Sequence, residues 1–563
     1  MAAYDKACMG PWSAAPPGAF RCARAIALAL AIAAGVMPAH QARAESLKEA
    51  MRAAYRNNPQ LDAERARLRA TDEDVARAAS GYRPTLRGSV EVGYQSTSVR
   101  PAVPSAGEAQ PWGYQLSLSQ PIFSGFRTES AVSEAEAAVR AGRQDLRLVE
   151  SRTLLDTVAA YADVVAAGRI LSLRESNVGV LSRELEAAEA RRAVREVTLT
   201  DVAQARARRA RAVSAADLAK SDLRIARASY LKVVGHAPAA LDSPPFPERL
   251  LPESLGQAIE ISLRDSPNVV SALYREEAAR FAVDRVRGEL LPQVSIEASY
   301  GERNDVSRLI SQETEASITG RVSIPLYQGG EVHARVRQAK HQHVGRIQEI
   351  EQARSESEAN VTAAWSRLQA ARAQMRSDEV QVDAAQTALR GVREEEKVGQ
   401  RTLLDVLNAE QERLDAEVSL VRTRRDLVVA SFSLLAAMGQ LTADRLSLDD
   451  RLYDAEVHYQ ETRRKWVGTS IADDERRLRE PLRYRPRAAA QAWDDPAPVA
   501  ARRSQADDFD PPEPPPTRAG MRVDDVDRDS LPPPEALVVP RTQSPPTSRP
   551  MPRLRERLRW PGD

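Results

Sequence analysis

"TLLDVLNA" occupies residues 402–409 and "TLTDVAQA" occupies residues 198–205. These near-identical octets stand 204 residues apart (402 − 198), each inside a long, charged, helix-patterned stretch. That interval is too long for a solenoid repeat and suits a duplicated domain. The similarity continues on both sides. "LKEAMRAAYRNNPQL" (47–61) aligns with "LGQAIEISLRDSPNV" (255–269), setting Pro59 against Pro267. "QPIFSGF" (120–126) aligns with "IPLYQGG" (324–330), pairing Pro121 with Pro325 and Gly125 with Gly329. The offset falls from 208 (267 − 59) to 204 (325 − 121), as short loop deletions would produce. Each half, 45–250 and 251–448, therefore reads helix, strand, loop, strand, long helix, turn, long helix.

Between the prolines the pattern changes to period two. Leu86, Val90, Val92 and Tyr94 alternate with Arg87, Ser89, Glu91 and Gln95. Trp112, Tyr114, Leu116 and Leu118 alternate with Gln115, Ser117 and Ser119. In the second half, Val294, Ile296, Ala298 and Tyr300 face one way, and Ala316, Ile318, Val322 and Ile324 do the same. These are four strands, each with one apolar and one polar face. A soluble sheet packed on helices would alternate identically. Strands of about ten residues with aromatic ends, however, have the dimensions of outer-membrane strands. Tyr94, Trp112, Tyr114 and Tyr300 are expected near the ends away from the helices, with 96–111 and 302–315 as long outward loops. Since about eight strands are needed to close a barrel, a membrane-spanning form requires several chains.

The helical stretches from Arg127 to about Arg191 and from Glu331 to Glu396 would each span on the order of 100 Å. Leu407, Leu414, Val418, Val421 and Val428 follow 3/4 spacing, the mark of a packed helix seam. Their opposite faces are charged, as a coiled-coil surface or the wall of a water-filled tunnel would be. The composition agrees with thin seams: 42% of the residues are hydrophobic but only 5% aromatic. A formal net charge of +1 offers no electrostatic case for nucleic acid.

Arg21 and Arg24 precede the apolar run "AIALALAIAAGVM" (25–37), and Ala42 and Ala44 end a small-residue site. Residues 1–44 therefore read as a signal peptide, cleaved before Glu45. Both cysteines, Cys8 and Cys22, fall inside it, so the mature chain is expected to have no disulfide or thiol metal site. Cys22 precedes the apolar run, which argues against a lipid anchor. A short extension is expected at 449–468. Residues 469–563, rich in proline and mixed charge, read as a disordered tail.

Other motifs carry little. His341 and His343 point roughly 200° apart on a helix, so no metal site is expected with His333. Gly329–Gly330 is not followed by a phosphate-loop lysine, and there is no nucleophile–base motif, so neither a cofactor nor an enzyme activity is expected.

The signal, the duplication, "SIPLYQGG" (323–330), "VRQA" (336–339) and "VGQRTLLDVLNA" (398–409) together resemble the TolC family of outer-membrane efflux and type I secretion channels. The resemblance covers 46–448. It implies an α+β membrane protein with four strands per chain, in which a homotrimer forms a β-barrel of about twelve strands among the outer-membrane lipids. A long α-helical barrel would continue it through the periplasm. Inner helix pairs would close the far end until a periplasmic adaptor and an inner-membrane transporter dock. The resemblance places the octets at the start of returning helices at this tip. It assigns Thr200, Asp201 and Arg401 to the bonds that hold the gate shut, and Asp405 to a carboxylate ring at the pore constriction. Thr402 is expected to cap its helix beside Asp405. Three positions depart from the family pattern. Asn408 stands where a second aspartate ring is usual, Glu396 replaces a tyrosine beside Asp201, and Arg195 replaces a turn glycine. An Arg195–Glu396 pair is expected to relieve the resulting carboxylate clash. The spacing and the missing lipid cysteine lean toward the secretion branch. The competing reading is a secreted periplasmic coiled-coil scaffold with a small soluble sheet.

Overall fold

The computed structural model describes residues 44–98, 100–101, 107–307, 309–448 and 452–471. Most of the expected signal peptide (1–43) and of the expected tail (472–563) lies outside the described residues.

The first repeat comprises α1 (Leu47–Asn57), α2 (Pro59–Ala79), β1 (Thr85–Val92), the short β2 (Gln95–Thr97) and β3 (Gly107–Ala109), β4 (Trp112–Phe123), α3 (Arg127–Ala193) and α4 (Leu199–Val234). The second comprises α5 (Leu255–Asp265), α6 (Pro267–Arg287), β5 (Gln293–Ser307), β6 (Ile310–Ser323), α7 (Glu331–Lys397) and α8 (Leu403–Ala437), and α9 (Ala455–Arg464) follows. Equivalent helices match closely: α3 and α7 each have 67 residues, and α2 and α6 each have 21. Pro59 and Pro267 begin their helices, where a missing N–H costs nothing, and so separate α1 from α2 and α5 from α6.

The main sheet is antiparallel, in the order β1-β4-β5-β6. Its register brings the apolar positions of all four strands onto one face, as in the row Leu86, Leu118, Ala298 and Ile318. Leu116, Tyr300 and Ala316 form a neighbouring row. This face is open: Leu86 is 72% exposed, Val90 78% and Ile318 83%. The other face carries serines and the Glu297–Arg321 pair, 2.9 Å apart. β1 and β6 are the edges of the sheet, each with one side unpaired among the described residues.

Two expectations about the strands are corrected. Most of 302–315 is strand rather than loop, because β5 runs to Ser307 and β6 begins at Ile310. The lengthened β5 puts Tyr300 at mid-strand, 6.3 Å from the ring of Tyr114. The residues that read as loop, including Glu302 and Gln312, are a polar continuation of the apolar face, with Gln312 Nε2 donating to Glu302 Oε1 at 2.7 Å.

Where the sheet meets the helices, Gly125 (φ +66°) lies against the backbone of Gly288, and neither position has room for a Cβ. Beyond this junction, α3 and α6 are joined by the ion pairs Arg285–Glu134 (2.6 Å) and Arg275–Asp145 (2.7 Å), while α2 packs on α3 and α7 on α6. The largest core lies near the middle of α3. It gathers Leu154, Val158 and Tyr161 with Tyr230 of α4, Met51 of α1, Leu368 of α7 and Phe432 of α8. The Tyr161 hydroxyl lies between the carbonyls of Glu45 (2.7 Å) and Asp242 (2.8 Å) and shares its one proton between them, which ties the segment before α1 to the loop after α4. From this core the hairpins α3/α4 and α7/α8 extend to two turns, at 194–198 and 398–402. Among the described residues, no helix is long and apolar enough to cross a membrane.

Candidate gate and pore constriction

The octets begin α4 and α8. Thr198 and Thr402 are their N-caps, in matching capping boxes. Asp201 Oδ2 accepts from the Thr198 amide (2.9 Å) and hydroxyl (2.8 Å), while the Asp201 amide donates to Thr198 Oγ1 (3.2 Å). Asp405 and Thr402 repeat the set at 3.0, 2.8 and 3.3 Å. Each box satisfies amides that the helix start leaves open and sets a carboxylate against the positive helix end. The backbone bond from the cap residue holds both aspartates below their ordinary pKa. The repeated T-x-x-D is thus explained by the need to restart a helix after a turn.

The turns themselves are also equivalent. Arg195 N donates to Arg192 O and Glu196 N to Arg191 O, both at 2.9 Å; Gly399 N and Gln400 N donate to Glu396 O and Glu395 O at the same distance. This closure needs one left-handed residue. Gly399 supplies it at φ +78°, and Arg195, in the equivalent place, is held at φ +67°.

Among the described residues of the single chain, no bond joins Arg195 to Glu396. Arg195 is exposed, whereas Arg191, one helical turn earlier, donates to Glu396 Oε1 at 2.5 Å. The bond to Glu396 raises the Arg191 pKa further. Arg401 Nε donates to Glu395 Oε2 of its own turn at 2.8 Å. Among the described residues of the single chain, no hydrogen bond or ion pair joins Arg401 to Asp201 or Thr200. Asp201 is instead engaged by its own cap, and Thr200 is exposed on the first turn of α4.

Sequence reasoning missed the seam between the two hairpins. Besides Arg191–Glu396, Arg208 Nη2 of α4 donates to Asn408 Oδ1 of α8 at 2.8 Å. Between these polar links, Leu407, 2% exposed, packs on Leu181 and Ala212. Leu403 touches that cluster and the one formed by Ala188, Val202 and Ala205. Within the second hairpin the contacts are more deeply buried. Glu410, 3% exposed, accepts from Arg413 (2.7 Å) and Arg393 (3.3 Å). Asp378 accepts from Thr423 at 2.5 Å. Farther from the tips the two hairpins are joined again, by Arg425 to Asp163 (2.7 Å) and Arg174 to Asp415 (3.8 Å). The sequence signal for the seam was present only in Leu407, the first residue of the 3/4 pattern.

Residues 50–236 and 258–440 match the family model described as outer membrane efflux protein. The chain belongs to the outer membrane efflux protein family. The two matched stretches follow the two repeats. The chain is 38% identical over 454 residues to the outer membrane efflux protein BepC of Brucella suis, covering 80% of this chain and 98% of BepC. It is 26% identical over 441 residues to the outer membrane protein TolC of Escherichia coli, covering 73% and 85%. The fold matches the outer membrane channel CmeC of Campylobacter jejuni with a TM-score of 0.65 at 16% identity, covering 75% of this chain and 89% of CmeC. This member of the efflux family is therefore an outer-membrane channel protein that exports small molecules or proteins, and its helices extend into the periplasm of a Gram-negative cell. The periplasmic scaffold reading is set aside: its soluble sheet would need a cover for the apolar face, which stands open.

Proposed function

We propose that three copies of this chain close a β-barrel of about twelve strands, by pairing β6 of one copy with β1 of the next. The observation that carries this is the open four-stranded sheet, which has an exposed apolar face and, among the described residues, two unpaired edges. In hydrocarbon an unpaired strand edge is prohibitive, so the edges must meet other edges. The long helices then continue the barrel as a water-filled tunnel, and the turns at 194–198 and 398–402 form its periplasmic end. Residues 1–44 act as the signal peptide, and 469–563 form a tail not needed for assembly.

At that end, Arg401 reaches Asp201 and Thr200 of a neighbouring copy in the closed state, exchanging its bond to Glu395 for them. Asp405 from each copy lines the constriction and favours cations, while Asn408, neutral and bound to Arg208, adds no second ring of charge. A periplasmic adaptor and an inner-membrane transporter draw the hairpins apart. Cysteines paired across β1 and β6, such as Ser89→Cys with Ser317→Cys and its register neighbours, test the barrel. Oxidation in outer-membrane fractions should give covalent species up to three chains, whereas failure of every register would contradict closure. For the gate, Arg401→Ala should raise single-channel conductance, and unchanged conductance would remove Arg401 from it.

A further inference from the structure

The segment after the second repeat has a use that the tunnel does not require. From Tyr453 onward the chain climbs along α2 toward the sheet. Tyr453 N donates to Tyr55 Oη (3.1 Å), His458 Nδ1 meets Asp72 Oδ2 (2.8 Å), and Tyr459 packs on Val75 and Val139. At the top, Arg83 donates to the Lys465 carbonyl at 3.0 Å and lays its guanidinium over the Trp466 ring at 4.7 Å. This leaves Trp466 68% and Val467 88% exposed, directly after the basic run Arg463, Arg464 and Lys465.

Arg83 lies three residues before Leu86, where the outward apolar row of β1 begins. Three extended residues span about 10 Å along the strand, which is about 7–8 Å along the membrane normal for a barrel strand tilted by about 35–45°. The headgroup layer on each side of a bilayer is about 5–8 Å thick. Trp466 is therefore held at the level of the periplasmic headgroups if the sheet spans the membrane, so the inference rests on the barrel reading. Indole rings favour that level, with the apolar body toward the acyl chains and the N–H toward water, and neighbouring arginine and lysine complement phosphates.

We propose that residues 463–467 are an interfacial anchor for the phospholipids of the periplasmic leaflet. Trp466 and Val467 enter the headgroup–acyl boundary, and Arg464 and Lys465 bind lipid phosphate. The anchor ties the helical region to the membrane surface just outside the barrel, through a segment that belongs to neither repeat.

The test uses the mature chain from Glu45 onward, which has no cysteine of its own, reconstituted in vesicles of phosphatidylethanolamine and phosphatidylglycerol. A bimane label is placed at Val467→Cys, at Leu86→Cys in the barrel, or at Glu461→Cys lower on α9. Lipids brominated along the acyl chain should quench the labels at 467 and 86 but not at 461. The 467 signal should weaken when Arg464→Glu and Lys465→Glu are combined. Quenching at 86 with none at 467 would overturn the anchor and leave the barrel standing. Absence of quenching at both would overturn both. A 467 label shielded from lipid bromine and from aqueous iodide alike would mean that protein covers the segment, which also overturns the proposal.

Discussion

Replacing both Arg191 and Arg208 by alanine should cut the polar links between the two hairpins near their tips, while leaving each hairpin and the Arg425–Asp163 pair (2.7 Å) nearer the core intact. The Arg191–Glu396 pair is partly exposed, at 44% for the arginine and 16% for the glutamate. Such pairs, screened by solvent, contribute about 0.2–1 kcal/mol. The exposed Arg208–Asn408 bond belongs at the low end of the usual net value, about 0.5 kcal/mol. Together the loss is about 1 kcal/mol per chain. Leu403 and Leu407 keep the hairpins in contact, so folding should survive. If the hairpins of three chains open together, the closed state loses about 3 kcal/mol, which is on the order of a hundredfold in the open-to-closed ratio. Single-channel recording in planar bilayers should show a higher mean conductance and more frequent open events. Arg206→Ala is the control, because Arg206 pairs with Glu189 inside one hairpin at 3.1 Å. If the double variant conducted like the parent, or if Arg206→Ala opened it equally, the seam would have no part in closure.

The remaining predictions concern separate regions. Arg195→Gly should relieve the left-handed strain at the first turn by about 1 kcal/mol, and Gly399→Ala should introduce a comparable strain at the second; hydrogen exchange of the tip amides reads both. The capping aspartates, with their pKa lowered below 3.8, add tip stability that is present above that pH and lost as pH falls through the lowered value, so Asp201→Asn should flatten this acid response in the same exchange experiment. Glu150 behaves in the opposite sense: burial raises its pKa above 4.5, so its cost grows as pH rises through 4.5 toward the folded value. Glu150→Gln, which keeps an acceptor for the Ala443 amide (2.6 Å), should therefore raise the thermal midpoint at neutral pH and make no difference in acid. Removing 469–563 should leave heat-sensitive oligomers in outer-membrane fractions unchanged, and failure to insert would refute the tail assignment.

Much of this fold is legible in the sequence because its determinants are local. The T-x-x-D octets restart helices after equivalent turns, the prolines at 59 and 267 start helices, and the alternation at 86–92 and 293–300 marks the strands. The errors arise where local pattern and tertiary context diverge. Glu302 and Gln312 look like loop residues because the face becomes polar there, yet the hairpin continues and pairs them across strands. Arg195 stands close in sequence to the position that would neutralise Glu396, yet within the chain it is Arg191, one helical turn earlier, that bonds Glu396. The Arg208–Asn408 bond joins residues 200 positions apart and has no local signature. Nor does α9 carry an apolar stripe that would announce its path along α2; the His458–Asp72 pair and the packing of Tyr459 define it.

The central claim is that chains of this protein assemble into a membrane-inserted tube through their open sheets. Native mass spectrometry of the protein extracted in detergent from outer-membrane fractions tests it most directly. A particle with three times the mass of the mature chain is expected, collapsing to single chains on heating. A single chain, or recovery only from the soluble periplasmic fraction, would contradict it.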